Sequence, residues 1–475
     1  MLTPPAHERP CWQLFGWGNN VDGQLGEGED AETERQIPGR NKLVERLIGE
    51  GHFGGPGAGF ESVAAGAFHS LAISEDGAVW SFGSNEDGAL GRPTEQDTDP
   101  VPRRIQSLVD EGFRAVHVVA GDCMSAALSD KGEVRVWGLY HCADKGTKAF
   151  SPTVRKQRTP APVPGLADER FAALAAGANH LVLLTRAGEV WAVGAGAHGQ
   201  LAHRVPAADP LAGTLPHKVL RLPYSRSRSR PHGGATGGEG QGRRAVAVGA
   251  GGSTGFFVDA RGGVWGWGLN ARGQTGAGRL PPPPKEGQAR EKVPGVILWT
   301  PQRVKGLSRE ELGGGGGGET VVRIVGGDDH TLFLTSRGRV FACGSDWSGQ
   351  LGLSSSASSP SPSLSSDPTN PPAAPTSPVD IPTPTPVPFP HPPALASDPI
   401  AQIACGPLVS AALTRAGVLY TWGSNTNEQV GVRGAPKEVR APTVVVRREG
   451  SWRARRVACG GQHCLALLQR KEGGG

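Results

Sequence analysis

Apolar and polar residues in this chain follow a short alternating rhythm, not a helical stripe. In the run HSLAISEDGAVWSFGS (69–84), Leu71 and Ile73 alternate with small or polar neighbours, the acidic turn Glu75–Gly77 follows, and a second apolar run begins at Val79. Alternation with a period of two, broken by a turn that ends in glycine, predicts a β-hairpin. Counting from Gly66, a second glycine (Gly77) follows after 11 residues and a third (Gly83) after 6 more. The same two intervals separate Gly121/Gly132/Gly138, Gly177/Gly188/Gly194, Gly251/Gly262/Gly268, Gly327/Gly338/Gly344 and Gly406/Gly417/Gly423.

Between these landmarks the residue types also repeat. Ile73, Leu128, Leu184, Val258, Leu334 and Leu413 stand seven places past the first glycine, which predicts strands with one buried face. The second glycine ends turns such as EDG, DKG, RAG and SRG, where a hairpin requires positive φ. Val79, Val134, Val190, Val264, Val340 and Leu419 come two residues later. Trp80, Trp137, Trp191, Trp265, Trp267 and Trp422 follow before the third glycine and suit the packing faces of strands.

The two ends complete the count. LFGWGNNVDGQLG near the N-terminus holds only the second half of a repeat, and VACGGQHCLALL near the C-terminus only the first half. Joined, they add a unit to the six internal copies, which predicts an all-β, seven-bladed β-propeller closed by N- and C-terminal half-repeats. With the closing unit as blade one, blades two to seven begin at Gly66, Gly121, Gly177, Gly251, Gly327 and Gly406. One domain is expected over residues 1–475, with disordered rim insertions at 223–244 (basic, Ser/Arg/Gly), 279–318 (Pro/Gly-rich) and 354–397 (Ser/Pro-rich).

Composition narrows the function. The 72 glycines and 41 prolines reflect both turn-dense strands and low-complexity insertions. No apolar run is long enough to span a bilayer, and MLTPPAHERPC lacks the apolar core of a signal peptide, so a soluble protein without a membrane partner is expected. Seven scattered cysteines without a CxxC pair read as reduced thiols of the cytosol or nucleus. A net charge of +5 is too small to identify a nucleic-acid binder by itself. No nucleophile–base constellation, metal-spaced His/Cys set or phosphate loop is legible, so neither enzyme chemistry nor a cofactor is expected.

The repeat resembles that of the regulator of chromosome condensation family, over nearly the whole chain outside the insertions. SFGSNEDGALGR (81–92), AAGANHLVLL (175–184), HTLFLT (330–335) and GGQHCLALL (460–468) are similar to that family's blade-specific strings and stand in its order. The resemblance implies a monomeric, nuclear, chromatin-associated guanine-nucleotide exchange factor for the small GTPase Ran, serving nucleocytoplasmic transport and mitosis. It would act without covalent chemistry, by pushing a β-wedge from one blade into the nucleotide site. LYHCADKGTKAF (139–150) stands at the wedge position, with His141, Asp144, Lys145 and Lys148 as wedge residues.

The resemblance places GTPase-binding residues in the loops after the origin glycines: Asp122, Asn179, His330, Asp328 and Asp329. It implies histone-dimer and nucleosomal-DNA contacts, the former through Arg226, Arg228 and Arg230 of YSRSRSRP, since guanidinium forks pair with carboxylates. Only about ten residues precede the first strand, so the basic tail that relatives use on DNA is not expected to contribute. Three positions depart from the family pattern: Asn179 replaces an acidic residue, His141 an arginine and Met124 a histidine. Against this reading stand a propeller scaffold that has lost exchange activity and a tryptophan-based light sensor. The sensor's GWRHT-type string is absent from the sequence.

Overall fold

A computed structural model of the protein describes residues 11–55, 57–143, 146–206, 208–219, 244–279, 285, 287, 295–313, 318–353, 380–390, 398–447 and 449–471. These residues build seven four-stranded antiparallel sheets and one separate two-stranded hairpin. Blade one is closed as the half-repeats require. Strands Trp12–Asn19 and Glu34–Arg40 from one end join Trp452–Cys459 and His463–Arg470 from the other, with Phe15 opposite Ala466.

The second strand of each internal blade is buried along its whole length, from His69–Ser74 in blade two to Val409–Thr414 in blade seven. The alternating sequence suggested one buried face. A blade has a neighbour on each side, so both faces are covered, and the small or polar alternate residues are the ones that fit between blades. One apolar cluster, for example, joins Leu71, Ile73 and Val79 of blade two to Val118, Ala127 and Trp137 of blade three.

The origin glycines serve close approach. A Cβ on Gly66 would stand 2.6 Å from the carbonyl oxygen of Gly121, and one on Gly121 would stand 2.6 Å from that of Gly177. The loops behind them form a ring of hydrogen bonds around the central channel. The N–H groups of Ala67, Asp122, Ala178, Gly252, Asp328 and Gly461 each donate to a carbonyl of the next blade. The seventh such position is Pro407, which has no N–H to give.

Two of the insertions are less featureless than their composition suggests. Ile297–Arg303, inside 279–318, is the outer strand of blade five, and Asp380–Pro386, inside 354–397, is the outer strand of blade six. Val304, Leu307 and Leu312 of the first, and Val387 and Phe389 of the second, are buried in the core. An outer strand pairs on one edge only, so the prolines of DIPTPTP are tolerated there. Of the basic insertion 223–244, only Arg244 lies among the described residues. Two short helices, Lys42–Gly49 and Gln106–Asp110, and a 3-10 turn, Pro210–Thr214, decorate the strands.

Candidate functional face and hairpin

Loops that join first to second strands and third to fourth strands emerge at the same end of every blade. Residues just past the origin glycines therefore meet at one mouth of the central channel, lined by Asp122, Ala178, Asp328 and Pro407 among others. Asp328 is exposed on this rim, while Asp122, Asn179 and Asp329 are half-buried. The crowded mouth pushes the Asp328 carboxyl up to about 6, chiefly through lost hydration, with Asp122 and Asp329 adding like charge. Asp122 and Asp329 are raised for the same leading reason, eased by His141 and Asn179 in the first case and by Arg272 in the second. Gln274 donates to Asp329 at 3.1 Å.

His330 is a different case from these rim residues. Its side chain is fully buried, and its Nε2 stands 2.9 Å from Ser410 Oγ in blade seven. The expectation that it meets a GTPase is therefore corrected: it locks two blades together. His69 bonds Ser125 and His463 bonds Ser70, each at 2.8 Å, in the same way. Each serine hydroxyl in turn donates to a carbonyl of the blade that carries the histidine: Ser125 to Ala89, Ser410 to Gln350 and Ser70 to Gln24. His180 faces Gly255, which has no hydroxyl, and bonds the Thr254 carbonyl at 3.1 Å. Where the histidine slot holds Met124, the facing position is Leu181, and both lie in one apolar cluster.

The segment after Gly138 leaves the repeat and forms a hairpin of Tyr140–Ala143 against Thr147–Ala149, with Tyr140 opposite Ala149 and His141 opposite Lys148. Asp144 and Lys145 lie outside the described residues. Alternation divides the hairpin into two faces. Tyr140, Cys142 and Phe150 are buried against Leu181, Leu183 and Val193 of blade four, and the rings of Tyr140 and Phe150 stack. On the other face His141 and Lys148 lean towards blade two, with His141 Nε2 3.8 Å and Lys148 Nζ 3.5 Å from Asp87 Oδ2.

Asn179 fastens the base of the hairpin. Its Oδ1 accepts the His141 N–H at 3.0 Å, and its Nδ2 donates to Asp122 Oδ2 at 3.1 Å. An aspartate there would keep the first bond and turn the second into carboxylate repulsion. Cys123 Sγ stands 3.4 Å from His141 Nε2, and burial followed by the nearby carboxylates pushes its thiol well above the ordinary range. Burial alone would raise Asp87, but the Cys123 hydrogen bond, Lys148 and His141 together bring it below its ordinary value.

Sequence reasoning missed several residues of this face. Phe68, Leu408, Val21 and Trp347 are exposed on loops of the same end, Trp347 with 58% of its surface open. Trp347 sits in a loop rather than a strand, which separates it from the structural tryptophans; the others carry no signal apart from the fold. Asp87, in the turn of SNEDGALG, gave no sign of its nearness to the hairpin. Arg226, Arg228 and Arg230 lie outside the described residues.

Comparison with known proteins fits this architecture. The Homo sapiens protein named Regulator of chromosome condensation is 28% identical over 477 residues, spanning 98% of this chain and 93% of its own. The Guanine nucleotide exchange factor SRM1 of Saccharomyces cerevisiae is 26% identical over 359 residues, spanning 70% of this chain and 64% of its own. The crystal structure of Prp20p from Saccharomyces cerevisiae, reported with that protein's binding properties to Gsp1p and histones, shares the fold: TM-score 0.74 and 24% identity, over 98% of this chain and 93% of the other. The RCC1-like domain matches residues 13–466, nearly the whole ring from its first strand to its last, and the chain belongs to that family.

Proposed function

We propose that this protein is a guanine-nucleotide exchange factor for the small GTPase Ran. The observation that carries the reading is the hairpin Tyr140–Ala149, the one two-stranded unit outside the seven blades among the described residues, rooted beside an acidic channel mouth. Asp122, Asp328 and Asp329 provide negative charge for a basic GTPase surface, and Phe68, Leu408 and Trp347 offer apolar anchors around it. His141, Asp144, Lys145 and Lys148 form the wedge. Rigid docking of the rim positions the wedge, and contacts made only with the nucleotide-free GTPase loosen the nucleotide. By linkage the nucleotide loosens the propeller to the same degree, so the cellular excess of GTP sets the direction. Catalysis of this kind breaks and makes no covalent bond.

Family membership and the human and yeast relatives support chromatin as the place of action. Arg226, Arg228 and Arg230 are assigned to the acidic surface of the histone dimer, with nucleosomal DNA beside it. One observation favours the alternative of an exchange-inactive scaffold: the Asn179 amide already occupies an oxygen of Asp122. Release of a fluorescent GDP analogue from purified Ran decides between them. Acceleration that is lost in Asp122→Ala supports the exchange factor. Binding to Ran without acceleration supports a GTPase-binding scaffold, and no binding overturns the exchange factor and leaves a scaffold for another partner.

A further inference from the structure

The contacts between blade two and the base of the hairpin bring together three side chains of different ligand chemistry: the Asp87 carboxylate, the Cys123 thiol and the His141 imidazole. They come from two loops and a strand of the hairpin, and their ligand atoms all lie within 4.8 Å of one another. We propose that Asp87, Cys123 and His141 form a three-ligand site for a thiophilic divalent cation, zinc in the first place, that staples the hairpin to blade two.

The donor set and its spacing both fit that ion. Zinc takes sulfur, imidazole nitrogen and carboxylate oxygen in tetrahedral sites, with bonds of about 2.3 Å to sulfur and about 2.0–2.2 Å to nitrogen or oxygen. Ligand atoms on such a tetrahedron stand roughly 3.3–3.6 Å apart, as those bond lengths require. Here Cys123 Sγ and His141 Nε2 are 3.4 Å apart, and His141 Nε2 and Asp87 Oδ2 are 3.8 Å apart. An all-oxygen preference excludes magnesium and calcium as the natural occupants, because two of the three donors are nitrogen and sulfur.

The surroundings suit a bound cation. Lys148 Nζ lies 3.5 Å from the same Asp87 oxygen, so positive charge is already held at this carboxylate. Zinc would displace that ammonium into solvent, Cys123 would release its thiol proton to water, and a water molecule would fill the fourth position. His141 is 39% exposed and Lys148 35%, so an entry path exists. His141 is already oriented, since its backbone N–H is fixed by Asn179 on the blade-four side. Metal binding stands independently of the exchange reading; its consequence, a hairpin held more firmly and a changed rate of nucleotide release, rests on that reading.

The test is titration of the dialysed full-length protein with Co²⁺, followed by Zn²⁺. One equivalent of cobalt should produce a thiolate-to-cobalt charge-transfer band that zinc then abolishes. Cys123→Ser and His141→Gln should each remove the band while thermal unfolding stays cooperative. Lys148→Met, a surface change that removes the competing ammonium, should tighten binding about tenfold or more. No band in the parent protein overturns the site, and so does a band that survives both ligand variants. Nucleotide release from Ran is then read on metal-loaded protein and on protein treated with a zinc-selective chelator. Metal binding without any change in release overturns the link to exchange and leaves the site standing.

Discussion

The seam between blades two and three and the seam between blades three and four are cut from the same repeat and closed by opposite means. In the first, His69 bonds Ser125, Ser125 donates to the Ala89 carbonyl, and Trp137 Nε1 donates to that same carbonyl at 2.7 Å. In the second, Met124 faces Leu181 and Val193 takes the tryptophan slot, all within an apolar cluster that also holds the root of the hairpin. Each solution is internally complete: a polar chain in which every hydrogen has a taker, or apolar side chains in the facing slots. The seam without the polar lock is the one where Asp122, Asn179 and His141 meet on the outside. The histidine–serine lock and the Asp122–Asn179 contact thus belong to different seams.

The largest effect is expected from the tryptophan of the locked seam. Trp137→Ala should lower stability by about 3–5 kcal/mol in urea unfolding, through a cavity and the loss of one of the two hydrogen bonds to the Ala89 carbonyl. Val193→Ala at the equivalent slot of the neighbouring seam should cost far less. Equal losses would show that the tryptophan lock does not distinguish the seams.

Next comes an exchange of lock types. Met124→His should cost about 1–3 kcal/mol, because the imidazole would face Leu181 with no acceptor. Adding Leu181→Ser should recover part of that loss, so that the double-mutant cycle is strongly non-additive. Additive losses would contradict the pairing of the two slots.

A smaller effect per residue follows from pH. Burial lowers His69 and His180 to about 4 and His330 and His463 to about 3. The unfolded chain, with histidines near the usual 6.5, therefore binds more protons than the fold once pH drops below that value. Stability is fully present above 6.5 and falls towards pH 4, by roughly 1 kcal/mol per histidine between pH 7 and 5.5. Asp328, raised to about 6, works in the opposite direction: its charged form burdens the fold above pH 6, and the burden lifts as the carboxyl protonates. The four histidines should dominate, giving a urea midpoint that drops on acidification and drops less in His69→Gln. A midpoint that rises from pH 7 to 5.5 would contradict the buried neutral histidines.

The smallest effect is expected at the other seam. Asn179→Asp should reduce stability by under about 1 kcal/mol at pH 7, since the half-buried Asp122 pair is partly screened by water. Part of that loss should return as pH is lowered towards 5. A pH-independent loss would mean that charge beside Asp122 is not its cause.

Much of this architecture was legible because a propeller repeats its constraints. Glycine intervals, hairpin turns and the half-repeats at the ends give the seven blades and their closure. What the origin glycines do was not legible, since the carbonyl they admit belongs to the next repeat, more than fifty residues away. Ile297–Arg303 and Asp380–Pro386 were hidden for another reason: an outer strand needs only one paired edge, so proline-rich sequence can supply it. For the candidate face, the Asp122 loop and the hairpin could be located by likeness. His330 was misread because its slot serves the gap between blades, a role that a single sequence does not separate from surface exposure. The Asp87, Cys123 and His141 set has no linear spacing to find, as two blades and a hairpin bring it together.

The hairpin is the part of the account that most needs direct test. Residues 141–148 would be replaced by a short Gly-Ser turn, and the variant compared with the parent protein for affinity to nucleotide-free Ran and for acceleration of GDP release. The account predicts that the variant still binds through the acidic rim and has lost most of its acceleration. Acceleration that survives the replacement would contradict the assignment of Tyr140–Ala149 as the wedge.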